Sequence, residues 1–334
     1  MIHTTAPFVS VIIPTYNRQD LLRDAVESLY RQSYPRDRYE IIVVDNSSTD
    51  GTEDMIHSLQ QTLPCLLRYY RKENEGPGSS RNLGIAKAEG TIIAFTDSDC
   101  VADQNWLMNG VARMDEGIGL VQGKTIPNPQ LSQGGVEHSM KVMSEDGYYQ
   151  TCNIFYRKEC IDSAGGFSPE FCGLNFFGKQ KGGEDTDLAW KVKKKGWKSI
   201  FADDAVVYHH VFQLTSLRSL IIYMRLNAMI ATALNVKKHP ELRDIILYRK
   251  VFKSKRRAFF YIFILSLFTA IFINGFFFLL GLPYVTMLLR VSFRGRPIGA
   301  YHRGFALFGL IIIIELIHSV LSLCTSLICR TVIL

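Results

Sequence analysis

The sequence predicts an open α/β fold, a mostly parallel sheet with helices on both faces, followed by a C-terminal helical membrane region. Three observations support this prediction. Short runs of apolar and β-branched residues alternate with amphipathic stretches in the N-terminal part of the chain. Carboxylates stand at or just past the ends of several of these runs. Long apolar stretches are concentrated after residue 257.

The first predicted strand is Phe8 to Pro14 (FVSVIIP), and it ends at Pro14 because proline cannot donate a ladder hydrogen bond. Thr15 to Arg18 is then the first loop at the carboxyl edge of the sheet. Between Gln19 and Gln32 the apolar residues recur at helical spacing, which predicts a helix with one apolar face.

Strands and helices continue to alternate after this first pair. The predicted elements are a strand over Glu40 to Asp45, a turn-rich loop over Asn46 to Gly51, a helix from about Thr52, a strand over Leu66 to Tyr70 and a helix over Ser79 to Glu89. The alternation is typical of a parallel sheet with right-handed crossover connections.

The stretch TIIAFTDSDC is the centre of the predicted site. Thr91 to Thr96 reads as a buried strand that ends in Asp97-Ser98-Asp99. Alone, such a pair is also typical of a solvated turn. Because ligands bind at the carboxyl ends of parallel strands, we expect Asp45, Asp97 and Asp99 to share one crevice, where a cation or ligand compensates their charge.

The charge distribution points to a membrane surface and not to nucleic acid. The formal charge is +7, and Lys237 to Arg257 holds nine basic and two acidic residues, so the rest of the chain sums to zero. The seven cysteines lack zinc-ligand spacing and fit free thiols in a reducing compartment. We find no secretory signal, and we expect the front of the protein to be cytosolic.

Several segments resemble the successive motifs of family 2 glycosyltransferases, which have the GT-A fold (Rossmann-like, mostly parallel). The resemblance covers roughly residues 8 to 212. Its motifs are FVSVIIPTYNR (Phe8 to Arg18), VVDNSSTDGT (Val43 to Thr52), NEGPGSSRNLGIAKAEG (Asn74 to Gly90), FTDSD (Phe95 to Asp99), GEDTDL (Gly183 to Leu188) and VYHH (Val207 to His210). The first four motifs, in order and at near-regular spacing, are more specific than any one of them.

The resemblance implies a site for a nucleotide-diphosphate sugar, with a UDP-sugar favoured. The residues implied to bind the donor nucleotide are Pro14, Thr15, Tyr16, Asp45, Arg81 and Asp97, and Asp97 reaches the ribose or the metal. Asp45 is otherwise a strand-end turn residue, and Arg81 is otherwise an ordinary helix charge.

The resemblance also implies a cation site and a catalytic base. Asp99 is expected to bind Mg²⁺ or Mn²⁺, and either His209 or His210 completes the site. In similar enzymes the Asp of the Glu-Asp pair takes the acceptor proton with inversion, so Asp185 is the expected base and Glu184 its orienting neighbour. Acidic residues are also typical of any helix N-terminus, which is the alternative explanation.

The acceptor side is expected around Asn153, Gly166 and Phe167. Here Cys152 and Ser168 depart from the family pattern, which leaves the acceptor class open. The glycine-rich Phe171 to Gly183 segment is either a mobile lid or an ordinary long loop.

The predicted domains are a GT-A catalytic domain (1–212), an interfacial helix and basic collar (213–257), and a transmembrane part (258–334). Apolar stretches at about 258–289 and 304–329 are each long enough to span a bilayer. A first segment that re-enters, broken at Asn274 or at Gly281 to Pro283, is the alternative topology. Glu315 and His318 mark either a lipid-acceptor contact or a helix–helix hydrogen bond.

The sequence therefore predicts a membrane-anchored, metal-dependent, inverting glycosyltransferase with a cytosolic catalytic domain. The expected partners are a nucleotide-sugar donor, a lipid-linked or surface-glycan acceptor and membrane lipids. The alternatives are a nucleotidyltransferase and a catalytically inactive nucleotide-sugar-binding scaffold. A polymer-extruding synthase is disfavoured because a Gln-x-x-Arg-Trp motif is missing. Donor sugar, linkage and oligomeric state stay open.

Overall fold

A computed structural model describes residues 6–63, 66–132, 137–171, 182–213, 226–293 and 301–333. Most of the predicted lid segment lies outside the described residues. The chain divides into two compact units, Met1–Tyr223 and Met224–Leu334.

The first unit alternates strands and helices as the sequence predicts. Its first half contains β1 (Val9–Thr15), α1 (Gln19–Tyr30), β2 (Tyr39–Asp45), α2 (Thr52–Thr62), β3 (Leu66–Arg71), α3 (Pro77–Lys87), β4 (Ile92–Thr96), β5 (Cys100–Ala102) and α4 (Trp106–Val111). Its second half contains β6 (Ile118–Pro127), β7 (Glu137–His138), β8 (Asn153–Arg157), α5 (Lys158–Ala164), α6 (Glu184–Lys194), β9 (Lys198–His209) and β10 (Phe212–Gln213).

The main sheet has the strand order β3-β2-β1-β4-β8-β6-β9-β5. The first four strands are parallel, as predicted. Strand β8 then runs antiparallel to both β4 and β6, β6 and β9 are parallel, and β5 is antiparallel to β9. The sheet is therefore mixed, and the loops that follow β1, β2 and β4 open at one edge.

The core of this unit forms around the parallel strands, which are buried on both faces of the sheet. Every residue of β1, β2 and β4 is buried, as expected for strands covered on both faces. Helix α3 lies unusually close to β1, since a Cβ on Gly84 would stand 2.5 Å from Cγ2 of Ile12. Arg81 lies on the same helix, so this close approach helps to set its distance from the sheet edge.

The second unit is helical. It contains α7 (Leu226–Lys238), α8 (Leu242–Ile246), α9 (Lys255–Phe272), a 3₁₀ segment (Gly275–Gly281), α10 (Leu282–Phe293) and α11 (Tyr301–Cys329). The predicted apolar stretch 258–289 is thus interrupted near Asn274, whose side chain accepts a hydrogen bond from the Phe276 N–H. Tyr284 packs on Phe260 and Phe263, so α10 folds back onto α9.

Within the described residues one segment, Gly275–Phe293, is apolar and long enough to cross a membrane. A single segment of this kind is weak support for a membrane region. Glu315 on α11 is fully buried, and its carboxylate accepts a hydrogen bond from Nε of Arg256 on α9 at 2.5 Å. This contact corresponds to the helix–helix alternative for Glu315. The side chain of His318 lies outside the described residues.

Candidate active site

The loop after β1 is held by the loop after β2. Asn17 adopts a left-handed conformation (φ 50°), and its N–H donates to Oγ of Ser48 at 2.8 Å. Its side-chain oxygen accepts from the Thr49 N–H at 2.7 Å, and the Gln19 N–H donates to Asp50 at 3.0 Å. These hydrogen bonds fix the first turn of α1 relative to the edge of the sheet.

Asp45 organises the second loop from a fully buried position. Its Oδ1 accepts from the N–H and the hydroxyl of Ser48, and its Oδ2 accepts from the Tyr69 hydroxyl at 2.7 Å. Burial and the hydrogen bond to Asp45 raise the pKa of Tyr69 well above its usual range, so Tyr69 stays a neutral donor. Both Asp45 oxygens thus have partners within the fold.

The residues at and just after the end of β1 differ in their exposure to solvent. Pro14 and Thr15 are buried, whereas Tyr16 is 46% exposed. Oγ1 of Thr15 is buried and has no hydrogen-bond partner among the described residues. A buried, unpaired hydroxyl beside an exposed aromatic ring is compatible with a ligand that stacks and accepts or donates one hydrogen bond.

Arg81 joins the two sides of the site. Its Nη2 donates to Oδ1 of Asp97 at 2.8 Å and its Nη1 donates to Oε1 of Glu184 at 3.1 Å. The guanidinium is 5% exposed and lies 5.8 Å from the centre of the Phe167 ring. Arg81 is therefore neither a free helix charge nor openly available to a nucleotide, because it links the Asp-x-Asp segment to α6.

Asp99 and His209 form a pair suited to a divalent cation. Nε2 of His209 lies 3.7 Å from Oδ1 of Asp99, and both side chains are at most 10% exposed. Nδ1 of His209 lies 2.8 Å from the His210 carbonyl oxygen, which only accepts, so Nδ1 carries the proton. In the neutral imidazole with this tautomer, Nε2 presents its lone pair toward Asp99. A carboxylate and a neutral imidazole with this tautomer fit Mg²⁺ or Mn²⁺.

Cys100 and His210 flank this pair in different ways. The thiol of Cys100 lies within 4.8 Å of the Asp99 and His209 ligand atoms, but burial raises its pKa well above the usual range, so it stays neutral. His210 instead faces a cavity of about 430 Å³, lined also by Asp99, Asp24 and Tyr208. The geometry therefore favours His209 over His210 as a partner of Asp99.

Glu184 and Asp185 open α6 after Gly183, which has φ 91°. Glu184 is buried against Arg81, while Asp185 is half-buried and accepts a hydrogen bond from the Thr186 N–H at 2.8 Å. Burial, and then the Glu184 carboxylate, raise the pKa of Asp185 to about 7. A carboxylate with this pKa is suited to accept a proton near neutral pH.

The residues expected on the acceptor side are mostly buried. Asn153 is fully buried, and its amide bonds the carbonyls of Lys124 and Ala205 and the indole N–H of Trp106. In the described structure Asn153 thus joins β6, β8 and β9.

Gly166 and Phe167 are held in place by Asn82 on helix α3. The Asn82 amide bonds both backbone groups of Phe167, and a Cβ on Gly166 would lie 2.7 Å from the Asn82 side-chain oxygen. Ser168 donates to Oδ2 of Asp187 at 2.5 Å, so the residue that departs from the family pattern connects this turn to α6.

Arg18 is a site residue to which the sequence analysis assigned no role. Its Nη1 donates to Oδ2 of Asp99 at 2.5 Å. The sequence feature that could have indicated a role for Arg18 is its position in the first loop at the sheet edge, in the same loop as Thr15 and Tyr16. Its partner is 81 residues away in the sequence, and local pattern does not report such a contact.

The open edge of a mixed α/β sheet, an Asp-x-Asp segment beside an imidazole and a carboxylate of raised pKa are together typical of enzymes that transfer a group from a nucleotide. The family model of glycosyl transferase family 2 matches residues 10–177. The chain therefore belongs to this family, and it is an enzyme of nucleotide-sugar-dependent glycosyl transfer.

Among curated relatives, glycosyltransferase AglE of Haloferax volcanii is 31% identical over 215 residues, which cover 62% of this chain and 68% of AglE. The poly(ribitol-phosphate) β-N-acetylglucosaminyltransferase TarS of Staphylococcus aureus is 34% identical over 107 residues, which cover 32% of this chain and 19% of TarS. The matched region thus spans about a fifth of the length of TarS.

Solved structures of other glycosyltransferases share the fold, and two of them are compared with this chain. The mannosyltransferase PcManGT from Pyrobaculum calidifontis, solved with GDP-Man and Mn²⁺, has a TM-score of 0.56 at 21% identity and covers 93% of this chain and 85% of its own. TarS residues 1–349 from S. aureus, solved with UDP-GlcNAc, has a TM-score of 0.52 at 24% identity, covering 69% and 66%. At these identities the likeness establishes the GT-A-like fold alone.

Proposed function

We propose that this protein is an inverting glycosyltransferase that requires a divalent cation and acts on a lipid-linked or surface-glycan acceptor at a membrane. The carrying observation is the shared sheet edge, where the Asp99–His209 pair and the Glu184–Asp185 pair are connected through Arg81 and Asp97. A cation site and a base at one edge are the two elements that sugar transfer from a diphosphate needs.

The donor nucleotide binds over β1 and β2. The exposed ring of Tyr16 and the unpaired hydroxyl of Thr15 contact the nucleoside. Asp45 supports donor binding indirectly, because its hydrogen bonds to Ser48 and Tyr69 hold the loop that forms the pocket wall. Pro14 precedes Thr15 within β1, where it pairs with Val44 of β2. Asp97 lies on the diphosphate side, with Arg81 holding its carboxylate.

Asp99 and His209 are the residues that hold the cation. When bound, Mg²⁺ or Mn²⁺ supplies positive charge against the leaving diphosphate. His209 is oriented for this role by the carbonyl of His210, which fixes its tautomer. His210 itself faces the adjoining cavity, so we assign it no direct contact with the cation.

Asp185 is the proposed base. Its carboxylate accepts the proton of the acceptor hydroxyl while that oxygen attacks the anomeric carbon from the face opposite the diphosphate, which inverts the configuration. Glu184 supports the reaction in two ways: its charge raises the pKa of Asp185, and its contact with Arg81 fixes the start of α6. Asn153, Gly166 and Phe167 shape the acceptor side from within the fold.

The membrane attachment is proposed for the helical unit, with the catalytic unit on the cytosolic side. Large apolar side chains in this unit face outward, among them Ile271, Phe272, Ile273 and Phe276, each at least 69% exposed. An apolar surface of this kind marks a membrane or protein contact, and the basic collar at 237–257 fits anionic headgroups. We favour two membrane segments, about 258–289 and 304–329, and the break near Asn274 is where the first would re-enter in the alternative topology.

Binding calorimetry tests the donor and cation sites directly. UDP, GDP and dTDP, then their sugars, are titrated into detergent-solubilised full-length protein with and without Mn²⁺. We expect Mn²⁺-dependent binding of one diphosphate, UDP favoured, and its loss in Asp99→Asn. If no nucleotide binds under any metal condition, the proposed function fails and a scaffold role takes its place.

The acceptor proposal has a separate test. A chain shortened after residue 223 and the full-length enzyme are compared on a lipid-linked sugar and on its soluble, lipid-free analogue. We expect the shortened enzyme to lose turnover on the lipid-linked acceptor selectively. Equal turnover of soluble acceptors by both proteins, with no preference of the full-length enzyme for the lipid form, contradicts a lipid-linked acceptor.

A further inference from the structure

Arg18 is positioned at the cation site by a rigid loop. The left-handed Asn17 and its hydrogen bonds to Ser48 and Thr49 fix the backbone immediately before Arg18. The Arg18 carbonyl accepts from the Leu22 N–H at 2.9 Å and so begins α1. A non-glycine residue held at positive φ beside a functional site is a typical device of pre-organisation. The backbone position from which the Arg18 side chain projects is therefore set by the fold.

The guanidinium shares Asp99 with His209. Arg18 contacts Oδ2 of Asp99, whereas His209 faces Oδ1, so the two oxygens of one carboxylate serve two different partners. Asp99 is 7% exposed but Arg18 is 42% exposed, so the guanidinium keeps open surface on its other side. Among the described residues, Asp99 is the one side chain within hydrogen-bond distance of Arg18.

We propose that Arg18 is a second positive group for the leaving nucleoside diphosphate, binding its phosphate oxygens beside Asp99. This inference rests on the proposed function and adds a catalytic residue to it. A planar guanidinium binds phosphate oxygens through two parallel N–H donors while another nitrogen stays on Asp99. Arg18 lies directly after the residues proposed for the nucleoside, so nucleoside and diphosphate contacts come from one loop.

The chemical role follows from the charge that develops during transfer. The acceptor oxygen forms its bond to the anomeric carbon as the bond from that carbon to the diphosphate breaks. The electron pair of the broken bond stays on the diphosphate oxygen, and the acceptor proton passes to Asp185. Arg18 stabilises the added negative charge on the diphosphate, where a fixed, partly desolvated donor is most effective.

The test compares nucleoside diphosphate with monophosphate binding. UDP and UMP, and GDP and GMP, are titrated with Mn²⁺ into full-length wild type, Arg18→Gln and Arg18→Lys. In Arg18→Gln we expect the Kd of the bound diphosphate to rise about tenfold to one-hundredfold, with the monophosphate Kd nearly unchanged. Arg18→Lys should recover part of this loss because it keeps the charge but not the planar fork.

Two further measurements separate a catalytic role from a structural one. At saturating donor, kcat of Arg18→Gln should fall about one-hundredfold. Titration of Mn²⁺ alone should show equal or tighter binding, because Asp99 loses a competing cation. The matched control is Arg113→Gln, since Arg113 is 40% exposed and also pairs with one aspartate, Asp204, elsewhere on the fold.

The inference and the proposed function fail in different ways. If wild type binds no nucleoside diphosphate, the proposed function itself is wrong. If wild type binds one and Arg18→Gln binds it equally well, only the role of Arg18 is wrong. Equal weakening of diphosphate, monophosphate and Mn²⁺ in Arg18→Gln also overturns the inference, because it shows that Arg18 merely holds Asp99 in place.

Discussion

The pKa of Asp185 is set by its burial and by the charges of its neighbours. Asp185 lies half-buried at the start of α6, beside the buried Glu184 carboxylate and near Asp97, and both charges oppose its ionisation. Arg81 acts in the opposite direction and limits the rise of the pKa. The balance leaves a carboxylate that changes protonation state close to neutral pH.

Replacement of Asp185 by Asn tests its role as the base. The substitution keeps the shape of the side chain but removes the proton acceptor, so we expect kcat to fall about 10²- to 10⁴-fold. The Kd of the nucleotide should stay the same because the role proposed for Asp185 is toward the acceptor hydroxyl. A variant that keeps more than a tenth of wild-type kcat would show that another group accepts the proton.

The pH dependence follows from the raised pKa of Asp185. Because the base works when deprotonated, we expect activity to fall as the pH drops through about 7. Glu184→Gln removes a negative neighbour, so the acid limb of the kcat profile should move to lower pH.

Glu159→Gln on the exposed first turn of α5 is the matched control for this shift, since it removes an acidic charge elsewhere. Its profile should coincide with that of wild type. An acid limb that stays in place in Glu184→Gln means that the titrating group is not Asp185.

The position of helix α6 is stabilised by the segment 147–149, which lies along one face of the helix. The Thr186 hydroxyl donates to the Tyr148 carbonyl at 2.8 Å, the Trp190 indole donates to the Gly147 carbonyl at 3.0 Å, and Lys193 donates to the Tyr149 hydroxyl at 2.6 Å. These three helix residues follow helical spacing. Tyr149 has φ 52° although it is not glycine, so its backbone conformation is stabilised by these contacts.

Loss of Lys193 should loosen this segment. Lys193 also bonds Ser199 at 3.0 Å and Glu145 at 3.2 Å, and it lies 5.1 Å from the centres of the Tyr149 and Trp190 rings. In Lys193→Met we expect the free energy of unfolding to fall by about 1 kcal/mol. We also expect kcat to fall by about tenfold with an unchanged nucleotide Kd, because Asp185 lies two turns earlier on the same helix.

Lys195→Met provides the control, because Lys195 is exposed at the end of α6. Chemical denaturation and steady-state kinetics of both variants are compared. If the two variants behave alike, the contacts of Lys193 do not position the helix.

The whole molecule consists of the α/β unit and a helical unit that exposes many large apolar side chains. We expect the full chain to sediment with membranes, to resist extraction by high salt and to dissolve in mild detergent, since apolar burial is insensitive to screening. Phe272→Asp combined with Phe276→Asp should shift the protein toward the soluble fraction. Both positions are at least 70% exposed in the helical unit.

Leu66→Asp is the matched control for this experiment, because Leu66 is an exposed apolar residue of the catalytic unit. It should leave the membrane fraction unchanged. Complete release of the wild-type chain by high salt would show that the basic collar, and not the apolar surface, holds the protein at the membrane.

Several elements of this protein depend only on local residue pattern and can be predicted from it. The strand–helix alternation from β1 to β4, the Asp-x-Asp segment after β4 and the start of α6 at Glu184 follow from residue spacing, proline and glycine, which act over a few residues. Other features depend on contacts between residues far apart in the chain and arise only in the folded protein. The fold inserts β8 antiparallel between β4 and β6, brings Nε2 of His209 within 3.7 Å of Asp99, and pairs Arg18 with Asp99 and Arg81 with both Asp97 and Glu184. These contacts join residues as many as 103 positions apart, and their energies arise only when the strands have taken their register.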